Sequence, residues 1–377
     1  MFKTWIEINK KAVANNIKIF RKILKKKTKL FAVVKSNAYG HGLLIFSELA
    51  NIYGIDGFCV DSVIEGIKLR NAGIKKTILV LGPTLPNLLE KAETNDITIT
   101  ISNFDALREF IKLKSEANFH LKIDTGMHRQ GFYVSQLTAV VKQMQKSKFK
   151  IQNLLKGVYT HFAATKDVTY PDYTLQQIKQ FNEAKDIFLK NGFRNLIFHA
   201  AATGGAILYP QSHFDAVRIG LGLYGFFPTK EIKIQHSLIW KGELDLRPIL
   251  AWKTIVSEIK QLNKGDYIGY DLSERVKEDT IVAVLPIGYW HGFLRALSQK
   301  GEVIIKGKRA RVLGRVSMDL ISVKAPKNIK IKRGDTAILI GNGGKEKVSA
   351  EELADLSGTI HYEFLTRLNP LIKRIVV

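Results

Sequence analysis

Five short apolar runs in the first two-thirds of the chain each end on a cationic or titratable side chain. They deliver Lys35; Lys122 and Asp124, with Arg129 just beyond; His161; His199; and Arg218. Lys35 closes the run Leu30-Phe-Ala-Val-Val34. A lysine approached through apolar surface is destabilised in its charged form, and the neutral amine is a nucleophile able to form a Schiff base with a carbonyl. Read alone, such a lysine is better taken as finishing a strand and reaching solvent. The residues that follow it, Ser36-Asn-Ala-Tyr-Gly-His-Gly42, are small and turn-prone, with one aromatic hydroxyl. So many cations converging on one rim would repel one another without an anion, and a phosphate-bearing cofactor satisfies that need.

The elements that must position these groups alternate. Strands are predicted at 30–35, 57–62, 77–82, 97–101, 120–124, 157–162, 197–202 and 216–220. Helical periodicity falls at 11–26, 43–53, 63–72, 85–93, 104–115, 136–146 and 174–191. Gly54, Gly73 and Gly192 sit where helices should stop, and Asn103 precedes one that should start. Eight βα units predict a (β/α)8 barrel, whose reactive groups belong at the C-terminal ends of its strands.

After residue 235 the pattern changes to alternating runs at 251–259, 280–285, 303–305, 310–313 and 336–340. They are separated by the turn signals Lys264-Gly265-Asp266, Lys306-Gly307-Lys308 and Gly341-Asn-Gly-Gly344. A mostly antiparallel β domain follows, with one helix near 349–356. The predicted division is a barrel over 10–235 and a β domain over 236–377 that residues 1–9 join as an extra strand.

Composition narrows the class. The hydrophobic fraction of 46% and charged fraction of 24% are those of a globular protein. The single cysteine, Cys59, excludes an intrachain disulfide. No signal-peptide pattern begins the sequence, and no run approaches the roughly 18 apolar residues of a membrane span; a cytoplasmic protein is expected. The formal charge of +24 raises a nucleic-acid binder as one reading. The lysines are spread along the chain, with Lys25-Lys26-Lys27 the one tight run, so a lysine-rich solvated surface is the expectation. No metal-ligand spacing, nucleophile elbow or P-loop occurs. Gly220-Leu-Gly-Leu-Tyr-Gly225 formally matches G-x-G-x-x-G, but it ends the eighth βα unit instead of opening a dinucleotide fold.

The run Ala32-Val-Val-Lys-Ser-Asn-Ala-Tyr-Gly-His-Gly42 resembles the pyridoxal-phosphate (PLP) attachment signature of alanine racemases, the fold-type III group. Six further segments resemble that family in the same order. They are His120-Leu-Lys-Ile-Asp-Thr-Gly-Met127 with Arg129; Gly157-Val-Tyr-Thr-His-Phe162; Arg218-Ile-Gly220 with Tyr224-Gly225; Leu285-Pro-Ile-Gly-Tyr289; Gly314-Arg-Val-Ser-Met-Asp319; and Gly358-Thr-Ile-His-Tyr-Glu363.

The resemblance implies PLP held covalently by Lys35, which is also the base on one substrate face. Racemisation needs a second base opposite, and by similarity that is Tyr270, in Ile268-Gly-Tyr-Asp271. His161 and Arg218 would support Tyr270, and Arg218 would face the pyridine nitrogen. Thr203, the amides at Gly220 and Leu221, Tyr39 and Tyr362 are implied phosphate ligands. Arg129, with the Met318 backbone, would take the substrate carboxylate, and Arg129 the cofactor's phenolate oxygen. Lys122 matches a lysine often carbamylated in the family, and Tyr289 a tyrosine that narrows substrate access. Arg295, Arg315 and Asp319 would lie in the outer channel or stand behind the residues that line the site. The family places Tyr270 and Tyr289 in the partner's site, so a homodimer with shared sites is implied, acting on a small amino acid, with no specific nucleic acid and no membrane. D-alanine for peptidoglycan is the implied product.

The sequence also departs from the common pattern. Ala202 stands for asparagine, Thr203 for serine, His128 for glycine, Ser317 for cysteine, and Trp290-His291 for a small residue and aspartate. Rival readings are a serine or broad-specificity racemase, a fold-type III decarboxylase, which would lack the Tyr270 and Gly-Tyr289 signatures, and a non-catalytic PLP-binding protein, which would lack the β domain.

Overall fold

The computed structural model describes residues 2–147, 149, 151–165, 170–240 and 244–377. The chain forms two compact units: Lys11–Ala38 with Phe46–Pro248, and Met1–Lys10 with Tyr39–Ile45 and Ile249–Val377.

In the first unit eight parallel strands follow the order Thr77–Val80, Gly57–Val60, Lys29–Val33, Ala216–Ile219, Ile197–His199, Leu155–Tyr159, Phe119–Asp124 and Ile99–Ile101. Hydrogen bonds from Val80 N to Thr98 O (2.8 Å) and from Thr98 N to Ile78 O (2.9 Å) join the two ends, so the sheet closes as the expected barrel. Parallel strands covered on both faces carry near-continuous apolar runs. Gly57–Val60 and Ala216–Ile219 are accordingly buried at every position. The outer helices show the 3.6 period instead: Lys10–Ile23 buries Ala12, Val13, Asn16, Ile17 and Phe20. Ser62 and Asn103 cap the helices Val63–Asn71 and Phe104–Lys112, accepting from the Glu65 and Ala106 amides. The segment Gly220–Gly225 is a 3₁₀ turn after the eighth strand, not a dinucleotide loop.

The second unit is built on one long sheet. Its order is Glu258–Leu262, Thr280–Leu285, Ile321–Lys324, Lys308–Leu313, Glu302–Ile305, Thr336–Gly343, Leu250–Ile255, Thr4–Ile8 and Lys373–Val376. All these pairings are antiparallel except the last, where Thr4–Ile8 runs parallel to Lys373–Val376. Burial alternates strictly along Leu250–Ile255, the mark of a sheet with one covered face. The apolar run 251–259 is two strands, not one, and the helix Lys230–Trp240 and the strands Ile321–Lys324 and Lys373–Val376 were not expected from sequence. Among the described residues no helix is long and apolar enough to cross a membrane.

Candidate active site

The barrel strands deliver their terminal side chains to one rim. Lys35 follows the first strand and stands 3.7 Å from an Asp61 carboxylate oxygen. The backbone beyond it is unusual. Ser36, Asn37, Ala38 and Tyr39 have φ of 55°, 56°, 52° and 52°, four consecutive non-glycine residues in the left-handed region. Each costs on the order of 1 kcal/mol. The turn is held by Ala38 N donating to Val34 O (2.8 Å). Glu65 reinforces it, accepting from Ser36 N (2.8 Å) and Asp61 N (2.7 Å). Sequence reasoning missed Glu65, although Ser62-Val-Ile-Glu65 has the spacing of a capping box.

Arg218 lies deeper, 2% exposed. It donates to Thr160 O (2.7 Å), Ala200 O (3.0 Å), His199 Nδ1 (2.6 Å) and His161 Nδ1 (3.3 Å). Its guanidinium also lies over the Tyr159 ring, 4.9 Å from the centroid. These acceptors are neutral: carbonyls, imidazoles and a ring face. Guanidinium only donates, so both Nδ1 atoms are acceptors, and the neutral imidazoles carry their protons on Nε2. His199 donates from Nε2 to His120 Nδ1 at 2.9 Å. Burial, reinforced by Arg218, holds His161 and His199 well below the usual histidine range, and His120 at about 3. Arg218 is thus the cation of this cluster and the imidazoles are neutral.

Lys122, 5% exposed, donates to Gln130 Oε1 at 3.1 Å. Burial, with Arg129 and Arg218 nearby, lowers it to about 8. Asp124 organises the next loop. Its Oδ1 accepts from the amides of Gly126 (2.9 Å), Met127 (2.9 Å) and His128 (3.0 Å), and its Oδ2 from that of Arg129 (3.1 Å). Burial pushes the carboxyl up, but the four amides outweigh it and hold it below the ordinary 3.8. His128 takes φ 53°, which explains why glycine would suit this position.

After the seventh and eighth strands, the turns opening at Thr203 and Leu221 meet, Gly222 N donating to Thr203 Oγ1 at 3.3 Å. Neither turn has a side chain capping its N-terminus. A Cβ on Gly222 would lie 2.9 Å from Thr203 Cγ2 and 2.3 Å from the Phe20 ring, so only glycine lets the two turns close on each other. N-terminal amides without a capping side chain, a hydroxyl and nearby cations are the donor set a phosphate ester requires. With Lys35 and the uncompensated Arg218, the barrel rim fits PLP.

The second unit holds the remaining candidates in three places. Tyr39 and Tyr362 have ring centroids 6.2 Å apart, and burial, with Tyr39 beside it, raises the Tyr362 hydroxyl above the ordinary tyrosine range. Tyr289 and Met318 share adjacent loops: Tyr289 N donates to Ser317 O (3.0 Å) and Trp290 N to Met318 O (3.0 Å). Tyr270 is 67% exposed in a turn where Asp271 and Leu272 both have positive φ, and Arg315 pairs with Asp271 at 2.8 Å. Among the described residues no cluster of three or more His, Cys, Asp or Glu could hold a metal ion.

Comparison with known proteins agrees with this geometry. The family model described as "Alanine racemase, N-terminal domain" matches residues 8–228, and that described as "Alanine racemase, C-terminal domain" matches residues 249–376. The alanine racemase of Leptospira interrogans serovar copenhageni is 35% identical over 378 residues, covering 100% of this chain and 96% of the relative. Among solved structures, alanine racemase from Bacillus anthracis with bound L-Ala-P superposes with TM-score 0.91 at 34% identity, over 100% of this chain and 95% of that one. Alanine racemase of Clostridium difficile 630 gives TM-score 0.91 at 32% identity, over 100% and 96%. Full-length identity, both family models and the fold agree: the chain belongs to the alanine racemase family.

Proposed function

We propose that this protein interconverts L- and D-alanine with PLP as cofactor, as a cytoplasmic homodimer whose product feeds peptidoglycan synthesis. The observation that carries the reading is Arg218, a wholly buried guanidinium with neutral hydrogen-bond acceptors at the end of the eighth barrel strand. Lys35 would hold the cofactor covalently. Thr203, the amides of Gly220 and Leu221, and the hydroxyls of Tyr39 and Tyr362 would hold its phosphate. Arg129 would take its phenolate oxygen and Arg218 its pyridine nitrogen. When bound, PLP supplies the electron withdrawal that acidifies the substrate Cα–H.

The chain's own residues account for the rest. Arg218 stays charged, and a permanent cation disfavours a proton on the nitrogen facing it. That weakens the electron sink and favours return of the proton to Cα over transamination. Lys35 Nζ and Tyr270 Oη are the two proton carriers, one per substrate face. A tyrosine hydroxyl is in general a weak acid and needs positive potential beside it to serve as a base near neutrality. His161, accepting from Arg218 on Nδ1, has its Nε2–H free to donate to a tyrosinate and so relays the influence of Arg218. Arg129, on the loop that Asp124 fixes, would bind the substrate carboxylate, with the Met318 amide assisting. Carbamylated Lys122 would present an anion to Arg129 and hold it in place. Tyr289 would restrict the side chain, and Tyr270 and Tyr289 would serve the partner's lysine.

The test is chiral chromatography after incubating PLP-loaded protein with L-alanine and, separately, L-serine. D-alanine well ahead of D-serine, abolished by Lys35→Ala, is the expected result. Dominant D-serine would keep the two bases and retune the substrate. No D-amino acid despite bound PLP would overturn the racemase reading.

A further inference from the structure

Tyr289 opens the short helical turn Tyr289–His291, and the third residue of that turn reaches back to its start. His291 Nδ1 accepts a hydrogen bond from the Gly288 amide at 3.2 Å. The same nitrogen lies 3.8 Å from an Asp319 carboxylate oxygen. These two neighbours make opposite demands. A backbone amide can only donate, so it needs Nδ1 bare; a carboxylate can only accept, so it is satisfied when Nδ1 carries a proton. One atom cannot serve both.

The rest of the turn is tightly determined, so this contact has leverage. A Cβ on Gly288 would stand 2.1 Å from Ser317 O and 2.4 Å from Met318 O, so the strand of chain before Tyr289 lies flat against the Ser317–Met318 loop. Tyr289 N and Trp290 N are bonded to that loop. On the far side Asn369 donates to Trp290 O from Nδ2 (3.0 Å) and to His291 O from its backbone N (3.2 Å). The Gly288 amide is the point at which the turn is held by an ionisable side chain.

We propose that His291 is a positioning residue for Tyr289: neutral, it caps the Gly288 amide and holds the tyrosine in its narrowing position; protonated, it releases the amide, turns to Asp319, and lets the turn loosen. The proposal rests on the racemase reading for the role of Tyr289. The charged groups facing His291 are Asp319 and Lys3; Arg367, on the segment packed against Gly292, is turned to Glu363 at 2.5 Å. Burial, with the opposing attraction of Asp319 smaller than it, favours the neutral ring, so the capped state holds at neutral pH and is lost in the acid range below 6.5.

The experiment compares wild type, His291→Asn and His291→Leu across pH 5 to 8. Asparagine keeps an acceptor that does not titrate; leucine keeps bulk and removes the acceptor. For wild type, KM for L-alanine should rise on acidification more than it does in His291→Asn, with kcat moving alike in both. His291→Leu should raise KM about fivefold at every pH and reduce the preference for alanine over serine by about the same factor, the size of one lost hydrogen bond. A second readout needs no turnover. Fluorescence of Trp290, obtained as the difference between each protein and its Trp290→Phe counterpart, should titrate with a midpoint below 6.5 in wild type and stay flat in His291→Asn. If His291→Leu matches wild type in KM and selectivity, or if the Trp290 signal titrates equally in His291→Asn, the proposal is overturned. If wild type forms no D-alanine, the racemase reading fails, and the fluorescence titration still decides whether the switch exists.

Discussion

Asp124 is the residue through which the loop carrying Arg129 can be perturbed most directly. Its carboxylate, 5% exposed, is the shared acceptor for the amides of Gly126, Met127, His128 and Arg129. Asp124→Ala leaves those four donors without their acceptor. A charge-assisted bond contributes about 1.5–3 kcal/mol alone, but three amides here share one oxygen and water can reach the freed loop, so about 1 kcal/mol each is appropriate. The expected loss is about 3–4 kcal/mol, which for a unit of this size lowers Tm by roughly 6–15 °C. Asp124→Asn keeps one oxygen but presents an NH2 group to an N–H donor, so it should lose about half as much. The pH dependence has a definite sign. The folded carboxyl titrates below its ordinary 3.8, so its contribution is complete above that value and is lost as pH falls through the folded pKa. The gap between wild type and Asp124→Ala should therefore be constant from pH 7 to 5 and close in more acid solution. Thermal unfolding followed by circular dichroism measures it, and KM for alanine should rise in both variants as Arg129 loses its anchor. An Asp124→Ala protein melting within about 2 °C of wild type at pH 7 would refute the reasoning.

Other positions give shorter tests. His128→Gly relieves a φ of 53° at the cost of backbone freedom and should raise the urea midpoint, by about 0.5–1 kcal/mol in stability. Lys122 falls from 10.5 to about 8 in the fold, so protonated Lys122 withholds stability that returns as pH rises through that interval. Lys122→Met in bicarbonate-free buffer should thus be about 2 kcal/mol more stable than wild type at pH 7, with the gap gone by pH 10; equal denaturation midpoints at pH 7 would contradict it. Burial raises the Cys59 thiol to about 12, so a thiol reagent at pH 8 should label native protein only on the timescale of unfolding, read as absorbance with and without urea.

How much was legible depended on whether the information was local. The eight barrel strands could be read because strands covered on both faces need β-branched or apolar residues at nearly every position, as in Thr77–Val80 and Ala216–Ile219. Lys35 and the small residues after it stood out because their composition is unusual, although nothing in it discloses four successive left-handed residues. The helix Lys230–Trp240 was missed for a physical reason. It buries Ile232 but exposes Ile234 and Leu238, so its apolar residues trace no single stripe. The strand Lys373–Val376 carries two cations in four residues, and its identity comes from pairing with Thr4–Ile8, which no local pattern encodes. His120 looked like the opening of a motif; its place in the buried Arg218–His199–His120 chain depends on three strands meeting. The function of Asp124 was similarly hidden, since a carboxylate at a strand end does not reveal that its partners are the next loop's amides.

The parallel strand pair that completes the second sheet also sets an order of events during synthesis. Thr4–Ile8 is translated long before its neighbours, Leu250–Ile255 and Lys373–Val376. The hydrogen bond from Trp252 Nε1 to Thr4 Oγ1 joins residues 248 positions apart. At roughly 5–20 residues per second, a ribosome leaves the first strand without either partner for tens of seconds, while the whole barrel segment emerges and can close. For that interval the nascent chain trails an unpaired strand edge bearing Trp5, Ile6 and Ile8, the kind of surface that chaperones shelter and that neighbouring chains on a polysome can capture. Glu7, which ends up 2.7 Å from Lys253, keeps a charge on that edge while it waits and becomes an ion pair once Leu250–Ile255 arrives.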